Sequence, residues 1–192
     1  MDKLVVKDLI TVGIFTALYL VIFFATSMIG YIPFLIPFLG LICSILCGVP
    51  FILYVMKINK FGMVTLTGII LGCAFTVMGS GLIMIPFGIV FGLLGDFIMK
   101  AGNYRDWKLI TWGYAVFSLW IMGFFVRLFI VRDQYFNEMS KVYGQDYVSI
   151  LQSITPLWML PVMFILTLIG SLIGAWLGKS MFRKHFKKAG LL

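Results

Sequence analysis

Six apolar stretches dominate this sequence, each close to the roughly 20 residues that a helix needs to cross about 30 Å of hydrocarbon. They cover about 9–29, 34–56, 62–79, 82–99, 109–131 and 157–178. A bilayer core offers no water to an unpaired amide, so spans of this length have to be helical. The expected fold class is an all-α membrane protein, a single six-transmembrane-helix bundle over residues 1–192. Composition points the same way. The chain is 62% hydrophobic and 11% charged, against roughly 25% charged in soluble domains. A water-soluble fold of this size could not hide that much apolar surface.

The breaks between spans are short. Gly30-Tyr31-Ile32-Pro33 separates the first two, and Lys57-Ile58-Asn59-Lys60 the next two. Gly79-Ser80-Gly81 is a very short turn that makes spans three and four a tight hairpin, and Lys100 to Lys108 is a polar loop. The second span carries Pro33, Pro37 and Pro50. A kink near Pro50 is expected there, since neighbouring helices can re-satisfy the freed carbonyl. Lys3 and Lys7 ahead of an apolar run suggest a signal peptide, but the run to Ile29 is too long for one and no A-x-A-like site follows. It reads as the first retained span.

Charge orients the bundle. With both ends inside, the inner segments hold Lys3, Lys7, Lys57, Lys60, Lys100, Arg105, Lys108, Lys179, Arg183, Lys184, Lys187 and Lys188, twelve of the fifteen basic residues. Only Arg132 and Lys141 fall outside, with Arg127 within the fifth span. The positive-inside rule therefore predicts an N-in, C-in topology with residues 179–192 as a basic cytoplasmic tail. The same distribution accounts for the net charge of +8 without any nucleic-acid partner.

Residues 132–156 form the one sizeable outer segment. Tyr135, Met139, Val142 and Tyr143 recur at helical spacing, and Tyr147, Ile150 and Leu151 extend that face. Glu138, Lys141, Gln145 and Gln152 lie opposite; Gly144 and Asp146 interrupt the pattern. A short amphipathic helix over the outer mouth of the bundle satisfies it.

Only Asp96 and Arg127 are ionisable residues inside expected spans. Such groups are costly in hydrocarbon and mark sites or partners. Asp96 either pairs with Lys100, four residues on, or meets a cytoplasmic partner. Arg127 shares a face with Trp120 and Phe124. It either snorkels to the interface or presents a guanidinium to a ligand carboxylate or phosphate. Near the outer mouth stand Met28, Tyr31, Met78, Met84, Tyr135, Met139, Tyr143, Tyr147, Trp158 and Met159. Each is either a site residue or part of the interfacial aromatic belt. Small residues four apart, Gly13/Ala17, Gly68/Gly72, Gly88/Gly92 and Gly170/Gly174/Gly178, mark close helix contacts.

Catalysis is not expected. No GxxxxGK[ST], HExxH or GxSxG occurs, and the sole histidine, His185, sits in the basic tail. Cys43, Cys47 and Cys73 have no metal-ligand spacing and read as small apolar filler.

The stretches KDLITVGIFTALY (7–19), FGLLGDFIMKAGNY (91–104), YAVFSLWIMG (114–123), RDQYF (132–136), WMLP (158–161) and KHFKKAG (184–190) occur in this order along the chain. In them the sequence resembles the Trep_Strep integral membrane family, grouped with the S components of energy-coupling factor (ECF) transporters. The resemblance implies a substrate-binding subunit in the cytoplasmic membrane that captures a micronutrient on the outer face. It would then pass the cargo on with a membrane T component and two cytoplasmic ATPase subunits. In that family alanines four apart on the first helix pack against the T component; Gly13 and Ala17 occupy that spacing here. Asp96 lies in the family-like GLLGD stretch. No intrinsic cofactor is implied. The transported ligand implied is haem or a related tetrapyrrole; the alternatives are a vitamin-like or other hydrophobic nutrient, or a non-transport membrane assembly protein whose glycine stripes only recruit partners. Arg127 would meet a propionate, and Met28, Tyr31, Tyr135, Met139, Tyr143 and Trp158 would contact the ring.

Overall fold

Helix is the only regular structure among the described residues of the computed structural model, which are residues 4–188, with side chains described as far as Phe182. Nine helices follow in order: α1 (Val6–Ser27), α2 (Leu39–Ile58), α3 (Met63–Phe75), α4 (Met84–Ala101), α5 (Trp107–Ser118), α6 (Met122–Ile130), α7 (Arg132–Tyr143), α8 (Gln145–Ile154) and α9 (Met159–Lys188). With short tight turns at their ends they make six segments long and apolar enough to cross a membrane: Val6–Tyr31, Pro33–Ile58, Met63–Ser80, Met84–Ala101, Trp107–Ile130 and Met159–Phe182. The chain is an all-helical, multi-pass membrane protein.

Local chemistry sets several helix ends. The Val5 amide donates to Asp8 Oδ2 at 2.9 Å, which starts α1. Asn59, at φ 52°, ends α2 in the left-handed conformation that asparagine tolerates. Asp106 caps α5 by accepting from the Lys108 amide at 2.8 Å.

Several details add to the sequence expectation or differ from it. α2 runs through Pro50, and the irregular stretch lies ahead of it, in a 3-10 turn over Pro33–Phe38 that contains Pro37. The fifth span is split by a 3-10 turn at Leu119–Ile121. The outer segment is two helices and not one, because Gly144 at φ 85° breaks it into α7 and α8. Val142, expected on the apolar face, is exposed there. α9 continues past the expected end of the sixth span as far as Lys188; residues 189–192 of the expected tail lie outside the described residues, as does Lys3.

α2 lies along α9 and α3 along α4, with α4–α5 and α1–α2 contacts closing the bundle. Two of these pairs need glycine. A Cβ on Gly68 would collide with the Gly88 carbonyl oxygen and the reverse is equally true, so α3 and α4 touch backbone to backbone. Gly48 and Gly174 do the same for α2 and α9. Between the helices Tyr19, Phe23, Phe51, Tyr114, Phe117 and Trp120 form a continuous aromatic core. Its polar atoms are paired: Trp120 Nε1 donates to the Tyr19 hydroxyl at 3.4 Å and Tyr114 donates to the Ser44 carbonyl at 2.6 Å. Thr16, Thr67 and Tyr54 make a buried hydroxyl chain that ends on the Met63 carbonyl.

The two ends of the bundle differ. Lys60 pairs with Asp8 at 2.7 Å, Lys100 lies over the Phe61 ring and Lys179 over the Trp107 ring, so these cations share one end. The other end carries α7 and α8.

Candidate functional site

The cavity beneath α7 and α8 has a volume of about 250 Å³. α1 and the turn after it supply Phe23, Phe24, Ser27, Met28, Gly30 and Tyr31; the turn into α2 supplies Ile36 and Leu39. Phe75, Met78, Ser80 and Met84 come from the α3–α4 hairpin, and Ile121 and Phe124 from the fifth span. α7 and α8 close it with Tyr135, Met139, Tyr143 and Tyr147. None of these side chains carries a formal charge. Such a chamber suits an apolar or aromatic ligand positioned by a few hydroxyls.

The roof is built from tyrosines because α7 and α8 meet at Gly144. That break turns Tyr143 and Tyr147 into one stack, with ring centroids 4.8 Å apart, and Tyr31 leans on Tyr143 at 5.9 Å. The Tyr147 hydroxyl donates to the Gly30 carbonyl at 2.5 Å, tying α8 to the end of the first span. Burial pushes Tyr147 up to about 12 and holds Tyr135 still further above the ordinary tyrosine range. Both hydroxyls are therefore neutral at physiological pH. The Tyr135 hydroxyl has no hydrogen-bond partner among the described residues, although the side chain is 3% exposed and lines the cavity.

Of the residues expected at the site, Met28, Tyr31, Tyr135, Met139 and Tyr143 line this cavity, as do Met78, Met84 and Tyr147. Trp158 does not. It is exposed beside the exposed Leu157 at the start of α9, as an interfacial tryptophan would be. Arg127 borders the cavity without lining it. Its guanidinium donates to Glu138 Oε2 at 2.7 Å and to the Gly79 carbonyl at 2.8 Å, and lies 5.9 Å from the Tyr135 ring centroid. The sequence reading placed Glu138 on the polar face and missed this pairing. Arg132, Asp133, Lys141 and Asp146 share that segment, so charge alone does not single out this pair in the sequence.

Asp96 corrects both of its expected roles. It is 0% exposed and forms no pair with Lys100, whose ammonium lies over Phe61. Its Oδ2 accepts from the amides of Gly62 and Thr65 at 3.1 and 2.8 Å and from the Thr65 hydroxyl at 2.6 Å. Tyr104 donates to Oδ1 at 3.0 Å. Asp96 thus caps the N-terminus of α3 from the neighbouring helix α4. Burial, with this carboxylate beside it, holds the Tyr104 hydroxyl protonated. A fully buried side chain offers no surface to a partner.

Gly13 and Ala17 lie on the exposed face of α1, and a Cβ on Gly13 would meet nothing within 4 Å. Nothing among the described residues explains the small residue there.

A second hollow of about 500 Å³ opens on the flank between α4, α6 and α9, lined by apolar side chains such as Phe87, Met122 and Phe164. It lacks the hydroxyls of the first.

No curated protein and no solved structure matches the chain. A family model described as a hypothetical bacterial integral membrane protein does match, over residues 6–188. With that match covering nearly the whole six-span bundle, the chain belongs to the Trep_Strep family of bacterial integral membrane proteins.

Proposed function

We propose that this protein is the substrate-specific binding subunit of an ECF-type importer in the cytoplasmic membrane. The observation that carries the reading is the uncharged, aromatic cavity at one end of the bundle, opposite the end where Lys60, Lys100 and Lys179 gather. By the positive-inside rule the cation-bearing end faces the cytoplasm, and the cavity opens outward, where a scarce nutrient is met. The chain takes no catalytic part. A membrane T component and two cytoplasmic ATPase subunits supply the work.

The exposed face of α1 supports a partner in the membrane. Gly68, Gly88, Gly48 and Gly174 are each explained by a neighbouring backbone, whereas Gly13 is not. A small residue with no neighbour among the described residues suits close approach by another helix. Gly13→Leu or Ala17→Leu is expected to abolish co-purification with the ATPase module while leaving the thermal midpoint of the isolated chain unchanged. An intact complex in both variants removes this docking face.

Haem or a related tetrapyrrole is the first choice of cargo. Met28, Met139 and Met84 offer thioether sulfurs to an iron and the tyrosines offer ring faces, while no histidine lines the cavity. Axial contacts from this chain would come from methionine or tyrosine, for instance Met28, Met139 or Tyr143. A vitamin-like aromatic nutrient is the second reading. The cavity volume favours it, since 250 Å³ falls below the roughly 300–1,000 Å³ of drug-sized sites. A tetrapyrrole needs the α7–α8 roof displaced. Purification from haem-replete cells decides between them: a Soret band that shifts in Met139→Ala supports haem. A colourless protein that ignores added haem removes it and leaves the smaller nutrient.

A further inference from the structure

Every residue lining the cavity is uncharged, yet the ion pair of Arg127 and Glu138 stands directly at its edge. Both partners are one step from the lining. Arg127 donates to the carbonyl of Gly79, the residue before Ser80, and its side chain lies 3.3 Å from where a Cβ on Gly81 would stand. Glu138 precedes Met139 and lies one helical turn from Tyr135, beneath the same guanidinium. We propose that Arg127 is the anion-recognising residue of the cavity mouth, and that Glu138 is an internal competitor which the carboxylate of an aromatic ligand displaces. The proposal rests on the substrate-binding reading above and adds the chemical class of the cargo: an uncharged ring system carrying a peripheral carboxylate.

Four observations carry it. A neutral chamber gives a ligand charge nowhere to sit except the rim, because burying an unpaired ion is costly. Arg127 keeps its place when Glu138 leaves, since the Gly79 carbonyl and the Tyr135 ring still hold it, and a guanidinium has five donors to share. Glu138 leaves easily. Its side chain is 44% exposed against 20% for Arg127, and its other oxygen is held at 2.9 Å by Gln134 on the same helix. Finally, the exchange swaps one carboxylate for another, so no charge is left uncompensated. Tyr135, which lines the chamber and whose ring lies 5.9 Å from the guanidinium, offers a hydroxyl unpartnered among the described residues as a second donor for the incoming group.

The test uses two probe pairs on the full-length protein. In the first, ferric haem is compared with its dimethyl ester, which has the same ring and no free carboxylate. Glu138→Gln is expected to bind haem about threefold more tightly than the parent, the scale of a partly exposed ion pair. Arg127→Gln is expected to bind it about tenfold more weakly, the scale of a charged hydrogen bond; the ester binds all three alike. In the second, sodium benzoate is compared with benzamide in thermal unfolding. Benzoate raises the midpoint most in Glu138→Gln and least in Arg127→Gln, and benzamide does not discriminate. If haem binds the parent and both variants equally, and benzoate treats them alike, the exchange is wrong and the transport reading stands. If haem binds none of them but benzoate discriminates, the haem reading falls and the exchange stands. Should Arg127→Gln fail to fold, Glu138→Gln alone decides, through the ratio of haem to ester affinity.

Discussion

The two ends of this bundle solve the problem of exposed polar groups in opposite ways. At the cation-bearing end the donors at the start of α3 are drawn onto one carboxylate, Asp96, which also takes the Tyr104 hydroxyl. At the other end α7 and α8 roof a chamber, seated by Phe136, Val148 and Leu151 in the core, while their polar ties to the bundle are separate: Tyr147 to Gly30, and Glu138 to Arg127. A closed hydrogen-bonded node gives rigidity; a void beneath a few independent latches gives a place that can open. The lower stability of such regions is what binding sites require.

That contrast can be broken at the closed end first. Asp96→Ala removes the acceptor of two amides and two hydroxyls, of which Tyr104 keeps the Asp96 carbonyl at 3.3 Å; each stranded donor costs about 1–3 kcal/mol when buried. A loss on the order of 3 kcal/mol is expected, and a smaller one in Asp96→Asn, which keeps an acceptor toward Thr65. The buried thiols of Cys43 and Cys47 report it, through thiol-reactive dye uptake on heating in a Cys73→Ala background. An Asp96→Ala protein as stable as the parent would mean that the node does not hold this end. A milder effect is expected at the roof. Tyr147→Phe removes one neutral hydrogen bond, worth about 1 kcal/mol, and should speed labelling of a cysteine placed at Ser80 more than it lowers the thermal midpoint. Equal effects on both would mean that the roof and bundle unfold as one unit. The smallest effect belongs to Lys60→Met. The Lys60–Asp8 pair is half-buried at the start of the bundle, and ion pairs that still reach solvent contribute little. No measurable shift in midpoint is expected, and a clear drop would move this pair into the closed node.

Much of this was legible in the residues. The six spans follow from apolar length, because hydrocarbon forces the backbone to bond within itself. The tight α3–α4 hairpin follows from Gly79-Ser80-Gly81 and from the glycines four apart on both helices. Most aromatic and methionine residues assigned to the mouth line the cavity, since interface-seeking side chains on adjacent loops converge at one end. Asp96 was not legible. Its partners Gly62 and Thr65 lie more than 30 positions earlier, and a spacing of four to Lys100 points to the wrong neighbour. Trp158 failed for a related reason: mouth residues and belt residues share one sequence signature, and only packing separates them.

The sequence by itself determined that the chain crosses a membrane six times and which end is rich in cations, because both depend on composition summed along the chain. Tertiary structure alone decided that Asp96 is an internal cap and that Arg127 is already occupied by Glu138. Those are matters of one atom lying within 3 Å of another. Such proximity is set by how helices pack, a property that no single helix carries in its own residues.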